Sequence, residues 1–248
     1  ESGYAVVTGA SAGIMQAANE GAVDGIIAEL KKGKHKKKSK EEIVETADFK
    51  KKLGQYSVGL KISLPFEPDH NPYLGVFATF HYFMVRKFFF GTLSSAFIAC
   101  EGGWGTRDEL FEILTLVQTG KAPLMPIIYI SKNPKHLTDD VKHAEKTGMI
   151  SPADKYLLNV VPNYQAAVKI INRFYSVVKN ISYEKKNVVE IELHKPLSKK
   201  QRATLDRFMK SKGKTMFTGF NTNDRRIAFK GFNYRSYGNI RMLIDQLA

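Results

Sequence analysis

The chain has 248 residues, 43% of them apolar and 25% charged, with 38 Lys and Arg against 24 Asp and Glu and a formal net charge of +14. This usage is ordinary for a globular protein and excludes a collagen-like or disordered chain, and no apolar run approaches the roughly 18 residues a membrane helix needs. The lone cysteine, Cys100, allows neither an internal disulfide nor a structural zinc cluster and points to a reducing cytosol; no signal-peptide pattern opens the chain, and because residue 1 is Glu rather than Met, further residues are expected upstream.

Tyr4–Thr8 is a short apolar, β-branched run that reads as a buried strand. Gly9 follows at once, and Ile14–Leu30 then carries Ile14, Ala18, Ala22, Ile26 and Leu30 at helical spacing, so strand, glycine turn and helix begin a βαβ unit. Lys31–Lys40 holds seven lysines and no acid, and together with Glu41–Leu53 it is expected to be a solvated excursion. Val58–Leu64 alternates like a strand that Pro65 helps to end, and Gly75–Phe90 carries aromatics at helical spacing. Ala96–Cys100 is another short buried strand, followed by Gly102, Gly103 and Gly105 and by an amphipathic helix from Thr106 to about Thr119. Met125–Ile130 reads as a strand, Val141–Thr147 and Tyr164–Asn180 as helices, and Asn159–Val161 as a short strand between them. Strands alternating with helices predict an α/β fold with a doubly wound parallel sheet.

After Lys185 the rhythm changes. Val188–Leu193 reads as a strand, Ser198–Ser211 as a helix, Thr215–Phe220 and Arg225–Lys230 as a hairpin, and Ser236–Leu247 as a closing helix, which together make a small α+β (βαββα) module. The charge changes at the same place. Residues 185–248 hold 15 basic and 5 acidic residues, a balance of +10, whereas residues 1–184 carry only +4. A nucleotide-binding domain over 1–184 and a basic module over 185–248 are therefore expected.

Two glycine turns carry the candidate chemistry. In Gly9-Ala10-Ser11-Ala12-Gly13-Ile14-Met15 the glycines let backbone approach a ligand, and the helix N-terminus attracts phosphate. The spacing differs from the dinucleotide fingerprint, and a tight βα turn that binds nothing has the same pattern. In Glu101-Gly102-Gly103-Trp104-Gly105-Thr106-Arg107-Asp108-Glu109, three glycines in four positions form a loop that can wrap an anion. Thr106 is a natural N-cap or a phosphate ligand, and Glu109, three residues on, fits a capping box as well as a catalytic carboxylate. No Lys-Ser/Thr follows the glycines, which excludes a P-loop NTPase. Both turns lie at the carboxyl ends of expected parallel strands, where open α/β sheets bind ligands, so together they favour a nucleotide site more than either does alone.

Several stretches resemble the LOG family, the "lysine decarboxylase-like" nucleoside 5′-monophosphate phosphoribohydrolases. Val7-Thr8-Gly9-Ala10-Ser11-Ala12-Gly13-Ile14-Met15-Gln16-Ala17-Ala18-Asn19-Glu20-Gly21-Ala22 is similar to the family's first signature. Leu64-Pro65-Phe66-Glu67 with Asn71-Pro72-Tyr73, and Phe80–Lys87 with its F-x-x-R-K-type helix, resemble the next segments. Gly102-Gly103-Trp104-Gly105-Thr106-Arg107-Asp108-Glu109 resembles the hallmark P-G-G-x-G-T-x-x-E, and Leu116-Val117-Gln118-Thr119-Gly120-Lys121 its continuation. The order and spacing agree across roughly residues 4–130, which no single glycine turn does.

The resemblance implies a Rossmann-like fold, a cytoplasmic homodimer or higher homo-oligomer, and hydrolysis of an AMP-like nucleotide to free base and ribose 5-phosphate without metal or redox cofactor. It implies Arg86 and Glu109 as the catalytic pair, Gly102, Gly103, Gly105 and Thr106 as the 5′-phosphate cradle, Gly9, Ser11, Gly13 and Met15 as pocket lining, and Lys87 as a supporting contact. Bond cleavage builds positive charge on the ribose, which a carboxylate such as Glu109 stabilises, or against which it activates water, while a guanidinium such as Arg86 orients that carboxylate and keeps it ionised. Four departures stand out. Glu101 replaces the family's Pro, Ala10-Ser11-Ala12 replaces the usual Gly-Gly-Pro, Lys31–Leu53 is a long insertion, and the family's first β–α unit does not precede Tyr4, so that either it lies upstream of Glu1 or the chain is expected not to be a complete enzyme.

Other features carry paired readings. Arg86 also fits a structural ion pair; Trp104 fits base stacking or loop anchoring; Phe88, Phe89 and Phe90 fit a core or a dimer interface; His81 reads as an ordinary polar residue. The Lys31–Lys40 block reads as a solvated loop before it reads as a nucleic-acid contact. In the basic module, Phe217, Phe220, Phe229, Phe232 and Tyr234 interleave with Lys214, Arg225, Arg226, Lys230 and Arg235, a pattern that fits base stacking on RNA or DNA or a regulatory domain that is merely basic.

Overall fold

The computed structural model describes residues 2–65, 70–184, 188–213, 217–223, 225–231 and 237–248. Contacts divide the chain into two compact units, Glu1–Ser94 and Ser95–Ala248. Among the described residues no helix is long and apolar enough to cross a membrane.

The first unit is built on a three-stranded parallel sheet in the order β1 (Val6–Thr8), β2 (Ser57–Ile62), β3 (Val76–Phe80), with Val7 paired to Val58 and Leu60 to Ala78. Helix α1 (Ile14–Lys32) forms because Val23, Ile26, Ile27 and Leu30 recur on one buried face. It ends where the Gly33 N–H donates to the Leu30 carbonyl at 3.2 Å, and Lys31 and Lys32 in its last turn complement the helix dipole.

Two expectations change here. The stretch Glu41–Leu53 is folded rather than a solvated excursion, in helices α2 (Lys40–Val44) and α3 (Ala47–Tyr56). A capping box between Ser39 and Glu42 starts α2, and the Thr46 side chain caps α3. Ile43 and Phe49 then bury against Val23, Ile26, Ile27 and Leu30; burial of such side chains stabilises by about 1.5–3 kcal/mol each, which outweighs the lysine-rich surroundings. The lysines themselves stay at the surface, where Lys40 pairs with Asp24 at 3.0 Å and Lys52 with Glu29 at 2.9 Å. The stretch Gly75–Phe90 is likewise not one helix. Val76-Phe77-Ala78-Thr79-Phe80 pairs with β2 as a strand, as its β-branched and aromatic residues favour, and helix α4 begins only at Phe83 and runs to Leu93.

The second unit opens with a three-stranded parallel sheet in the order β4 (Phe97–Cys100), β5 (Ile127–Ile130), β6 (Leu158–Val161). Helices α5 (Trp104–Gln118), α6 (Lys135–Lys146) and α7 (Tyr164–Val177) accompany it, with a short 3₁₀ turn at Asp154–Leu157. The parallel sheets flanked by helices are the Rossmann-like α/β class that the sequence predicts, with the parallel strands divided into two sets of three.

A four-stranded antiparallel sheet follows, in the order β7 (Val178–Glu184), β8 (Val188–Leu193), β10 (Arg226–Lys230), β9 (Gly219–Asn223), with α8 (Lys199–Phe208) and α9 (Tyr237–Leu247). The expected order of strand, helix, hairpin and helix is present. The helix expected over Tyr164–Asn180 stops at Val177, because Val178 passes directly into β7, which pairs with β8. The first hairpin strand is displaced to Gly219–Asn223; Thr215 and Met216 lie outside the described residues, as do Lys214, Phe232, Tyr234 and Arg235.

One apolar core runs from Ala99, Leu110 and Ile127 through Val189, Ile191 and Phe229 to Ile240 and Ile244, so the basic segment shares its interior with the second parallel sheet. Phe217 and Phe229 are part of that core, their ring centroids 4.7 Å apart, and are buried away from any base. On the outer strand face, Arg226 pairs with Glu190 at 3.0 Å and Lys179 with Glu192 at 2.7 Å, so part of the positive charge is neutralised locally. Arg241 of α9 is 0% exposed; it bonds to Asp245, and its guanidinium carbon lies 5.1 Å from the Phe174 ring centroid. Gly238 lets α9 press against the 3₁₀ turn, since a Cβ there would collide with the Ala153 carbonyl.

Candidate functional site

The residues singled out by sequence fall into two groups. Gly9, Ser11, Gly13, Met15, Arg86 and Lys87 belong to the first unit; Gly102, Gly103, Trp104, Gly105, Thr106 and Glu109 belong to the second.

In the first unit the turn leaves β1 at Thr8 and enters α1 at Ile14. Gly9 lies where Met15 and Arg86 approach the turn. A Cβ there would stand 2.8 Å from Sδ of Met15 and 3.6 Å from Nη1 of Arg86, so the bare glycine lets three candidate residues converge. Gly13 has φ +72°, which suits glycine, but Ala10 also has a left-handed φ of +66°, which costs an L-residue roughly 1–2 kcal/mol. Ala10 holds this conformation because both its peptide groups are tied: its N–H donates to Thr8 Oγ1 at 3.1 Å, and its carbonyl accepts from the Asn71 N–H at 2.9 Å. No side chain caps Gly13 at the start of α1 among the described residues, which leaves the helix end open to an anion.

Arg86 is half-buried on α4, its guanidinium carbon 5.2 Å from the Phe83 ring centroid and 5.8 Å from that of Phe90. These aromatic neighbours on its own helix hold the side chain beside the first turn. Lys87 is half-buried next to it. Phe88 is exposed rather than part of a core, and Phe89 packs on Phe80 at 5.2 Å. His81 is exposed.

In the second unit α5 begins at Trp104 with Gly103 as its N-cap, two residues earlier than expected. Thr106 is therefore the third residue of the helix, not its cap. Its side chain folds back over Gly102, where a Cβ would collide with Thr106 Oγ1. This removes the capping-box account of Glu109. Such a box needs its Glu at the third helical position, and Thr106 occupies that position. Glu109 stands half-buried about one turn further along α5. Gly102, Gly103 and Gly105 are exposed, and no side chain caps Gly103 among the described residues. Trp104 is 88% exposed, so it does not anchor the loop.

Glu101, at the family's Pro position, has its carboxylate hydrogen-bonded by the Ser131 hydroxyl just beyond β5, and that hydroxyl accepts from the Asn133 N–H at 3.0 Å. The added negative charge is thus held against a neighbouring strand end. Burial pushes the Cys100 thiol up, which makes it a poor nucleophile at neutral pH.

Sequence reasoning gave no separate role to Thr8, Asn19, Ser57 and Asn71, all buried in the first unit and bonded to one another. A signal was present for Asn19: it falls on the same helical stripe as Val23, Ile26, Ile27 and Leu30, an amide on an apolar face.

A curated relative from Rhodococcoides fascians, named cytokinin riboside 5'-monophosphate phosphoribohydrolase, is 33% identical over 88 residues, which are 35% of this chain; the match spans 44% of that relative's length. A family model described as possible lysine decarboxylase matches residues 9–171, a stretch that begins at the first glycine turn and contains the second, and the chain belongs to that family.

Proposed function

We propose that the chain hydrolyses the N-glycosidic bond of a nucleoside 5′-monophosphate, AMP-like or a cytokinin riboside monophosphate, releasing free base and ribose 5-phosphate. Family membership and the phosphoribohydrolase name of the Rhodococcoides fascians relative support nucleotide hydrolysis. The observation that carries the reading is the start of α5: an uncapped helix N-terminus, three exposed glycines, a threonine hydroxyl folded over Gly102, and a carboxylate one turn on that no capping box explains.

On this reading Gly102, Gly103, Gly105 and Thr106 receive the 5′-phosphate through free N–H groups and the hydroxyl, with Trp104 exposed beside them. Gly9, Ser11, Gly13, Met15 and Lys87 line the nucleotide. Departure of the base leaves oxocarbenium-like charge on the ribose; the Glu109 carboxylate stabilises that charge or takes a proton from the attacking water, and Arg86 supplies the fixed cation of the pair. Anchoring the phosphate fixes the sugar, so binding energy is used for positioning.

The test is incubation with AMP, GMP, CMP, UMP and a cytokinin riboside monophosphate, with free base followed by chromatography. Base release from at least one, lost in Glu109→Gln, is expected. Thermal stabilisation by every nucleotide without any base release would replace hydrolysis with binding alone. The reading includes a homodimer, supported by the exposed apolar side chains Tyr82, Met84, Phe88 and Leu93 on and beside α4, which are costly to leave in water. Sedimentation of the full chain should give twice the monomer mass.

A further inference from the structure

We infer that Asn19 is a positioning residue, which acts through Thr8 and Asn71 to hold the Ala10–Gly13 turn in the shape that receives a nucleotide. Its consequence for turnover rests on the hydrolase reading above; its mechanism rests on the geometry of the first unit alone.

Four polar side chains are buried together: Thr8, Asn19, Ser57 and Asn71. Burial of such groups is unfavourable unless each finds a partner, and here the partners are mutual. Thr8 Oγ1 accepts from the Ala10 N–H, so its own hydrogen goes to Asn19 Oδ1 at 2.6 Å. That orients the Asn19 amide. Its Oδ1 also accepts from Asn71 Nδ2 at 3.2 Å, and its Nδ2 donates to Ser57 Oγ at 2.9 Å. Ser57 Oγ gives its hydrogen to the Tyr73 carbonyl at 2.6 Å, and the Tyr73 N–H donates to Asn71 Oδ1 at 3.2 Å.

The network makes its backbone contacts at few places. Two of them fall on adjacent turn residues: the Ala10 N–H donates to Thr8 Oγ1, and Asn71 Nδ2 donates to the Ser11 carbonyl at 3.4 Å; beside them the Asn71 backbone N–H donates to the Ala10 carbonyl. These are the residues held in and next to the left-handed conformation at Ala10, between Gly9 and Gly13. An interior that only needed filling would take an apolar side chain at position 19. The donor order also makes aspartate a poor substitute. Its second oxygen would face Ser57 Oγ, whose hydrogen is already committed to Tyr73, and the buried carboxylate would lack its donor.

The experiment uses the full chain in two arms. Without nucleotide, hydrogen exchange should speed up over residues 10–15 in Asn19→Ala, Asn19→Asp and the milder Asn71→Ala, while residues 104–118 exchange as in the parent. With AMP, the Asn71→Ala protein should show a KM raised about tenfold or more with kcat within about threefold, the pattern of lost binding rather than lost chemistry. A folded Asn71→Ala protein whose turn exchanges at the parent rate, or a lowered melting temperature with KM unchanged, overturns the inference. If Asn19→Ala fails to fold, Asn71→Ala decides it. A parent protein that releases base from no nucleotide defeats the hydrolase reading, and the exchange arm then decides the positioning claim by itself.

Discussion

The two glycine turns occupy matching places, each following the first strand of a three-stranded parallel sheet, yet they are made in opposite ways. The first is held from a distance. Ala10 is buried and strained, and its shape is held by a hydrogen bond that its N–H donates to Thr8 and by one that its carbonyl accepts from Asn71, far along the chain. The second is open. Its glycines are exposed, Trp104 projects from it, and Thr106, which folds over Gly102, lies four residues away, while Glu101 at its start is held by Ser131. A turn of the first kind stores its geometry in tertiary contacts and loses it when a distant partner is removed. A turn of the second kind carries its geometry locally and is altered by changes within it.

The largest expected effect lies beside the open turn. Glu109→Gln should lower base release by roughly 10²–10⁴-fold, with melting temperature and AMP binding little changed. Retained turnover would remove Glu109 from the chemistry. Stability should separate the turns next. Asn19→Ala should cost about 1–3 kcal/mol by leaving Thr8 and Ser57 without their partner, whereas Thr106→Ala should cost less than about 0.5 kcal/mol. Urea unfolding measures both, and equal losses would erase the contrast.

A glycine pair sharpens it further. Gly13→Ala must place a side chain at φ +72° and should cost roughly 1–2 kcal/mol. Gly102→Ala would bring its Cβ to 2.9 Å from Thr106 Cβ, which side-chain rotation does not move, so the start of α5 must shift locally and the change should appear chiefly as weaker AMP binding. The smallest effect concerns the helix that carries the open turn. The Tyr237 hydroxyl covers Gly120, just past the end of α5, and burial, reinforced by Tyr183, raises its pKa far above the usual 10.0. Unfolded tyrosine ionises near that ordinary value while the folded one keeps its proton. The contribution is therefore fully present below pH 10 and lost as the pH rises above it. Urea midpoints measured from pH 8 to 11 should fall at the alkaline end, and less so in Tyr237→Phe.

Much of this was legible in the sequence. The helical spacing of Ile14, Ala18, Ala22, Ile26 and Leu30 announces α1, although the face that buries carries Val23, Ile26, Ile27 and Leu30 and leaves Ile14 exposed; the short apolar runs announce β1, β4 and β5, and the motif series announces the family. Other elements were concealed by neighbours of different character. Ile43 and Phe49 are few among lysines, and only the capping residues Ser39 and Glu42 mark the helix they belong to. Val76–Phe80 has aromatics at a spacing that also suits the helix after it, and the decision came from pairing with β2. Thr106 has the composition of an N-cap but sits inside α5, because Gly103 and Trp104 already adopt the helix start. In the basic module, alternation of aromatic and cationic residues is the same whether the aromatics face water or a core; the packing of Phe217 on Phe229 decides it for those two.

The sequence by itself determined the elements whose information is local: α1, the two turns with their glycines, the parallel βα alternation and the placement of Arg86 and Glu109 within recognisable motifs. Only the tertiary structure decided how the first turn is held, since the partners of Asn19 lie 38 and 52 residues away at Ser57 and Asn71. The physical reason is that a hydrogen bond between buried side chains depends on which residues the sheet and helix bring within about 3 Å. No local pattern of residue types records that distance, whereas a glycine's freedom or a helical stripe belongs to the residues themselves.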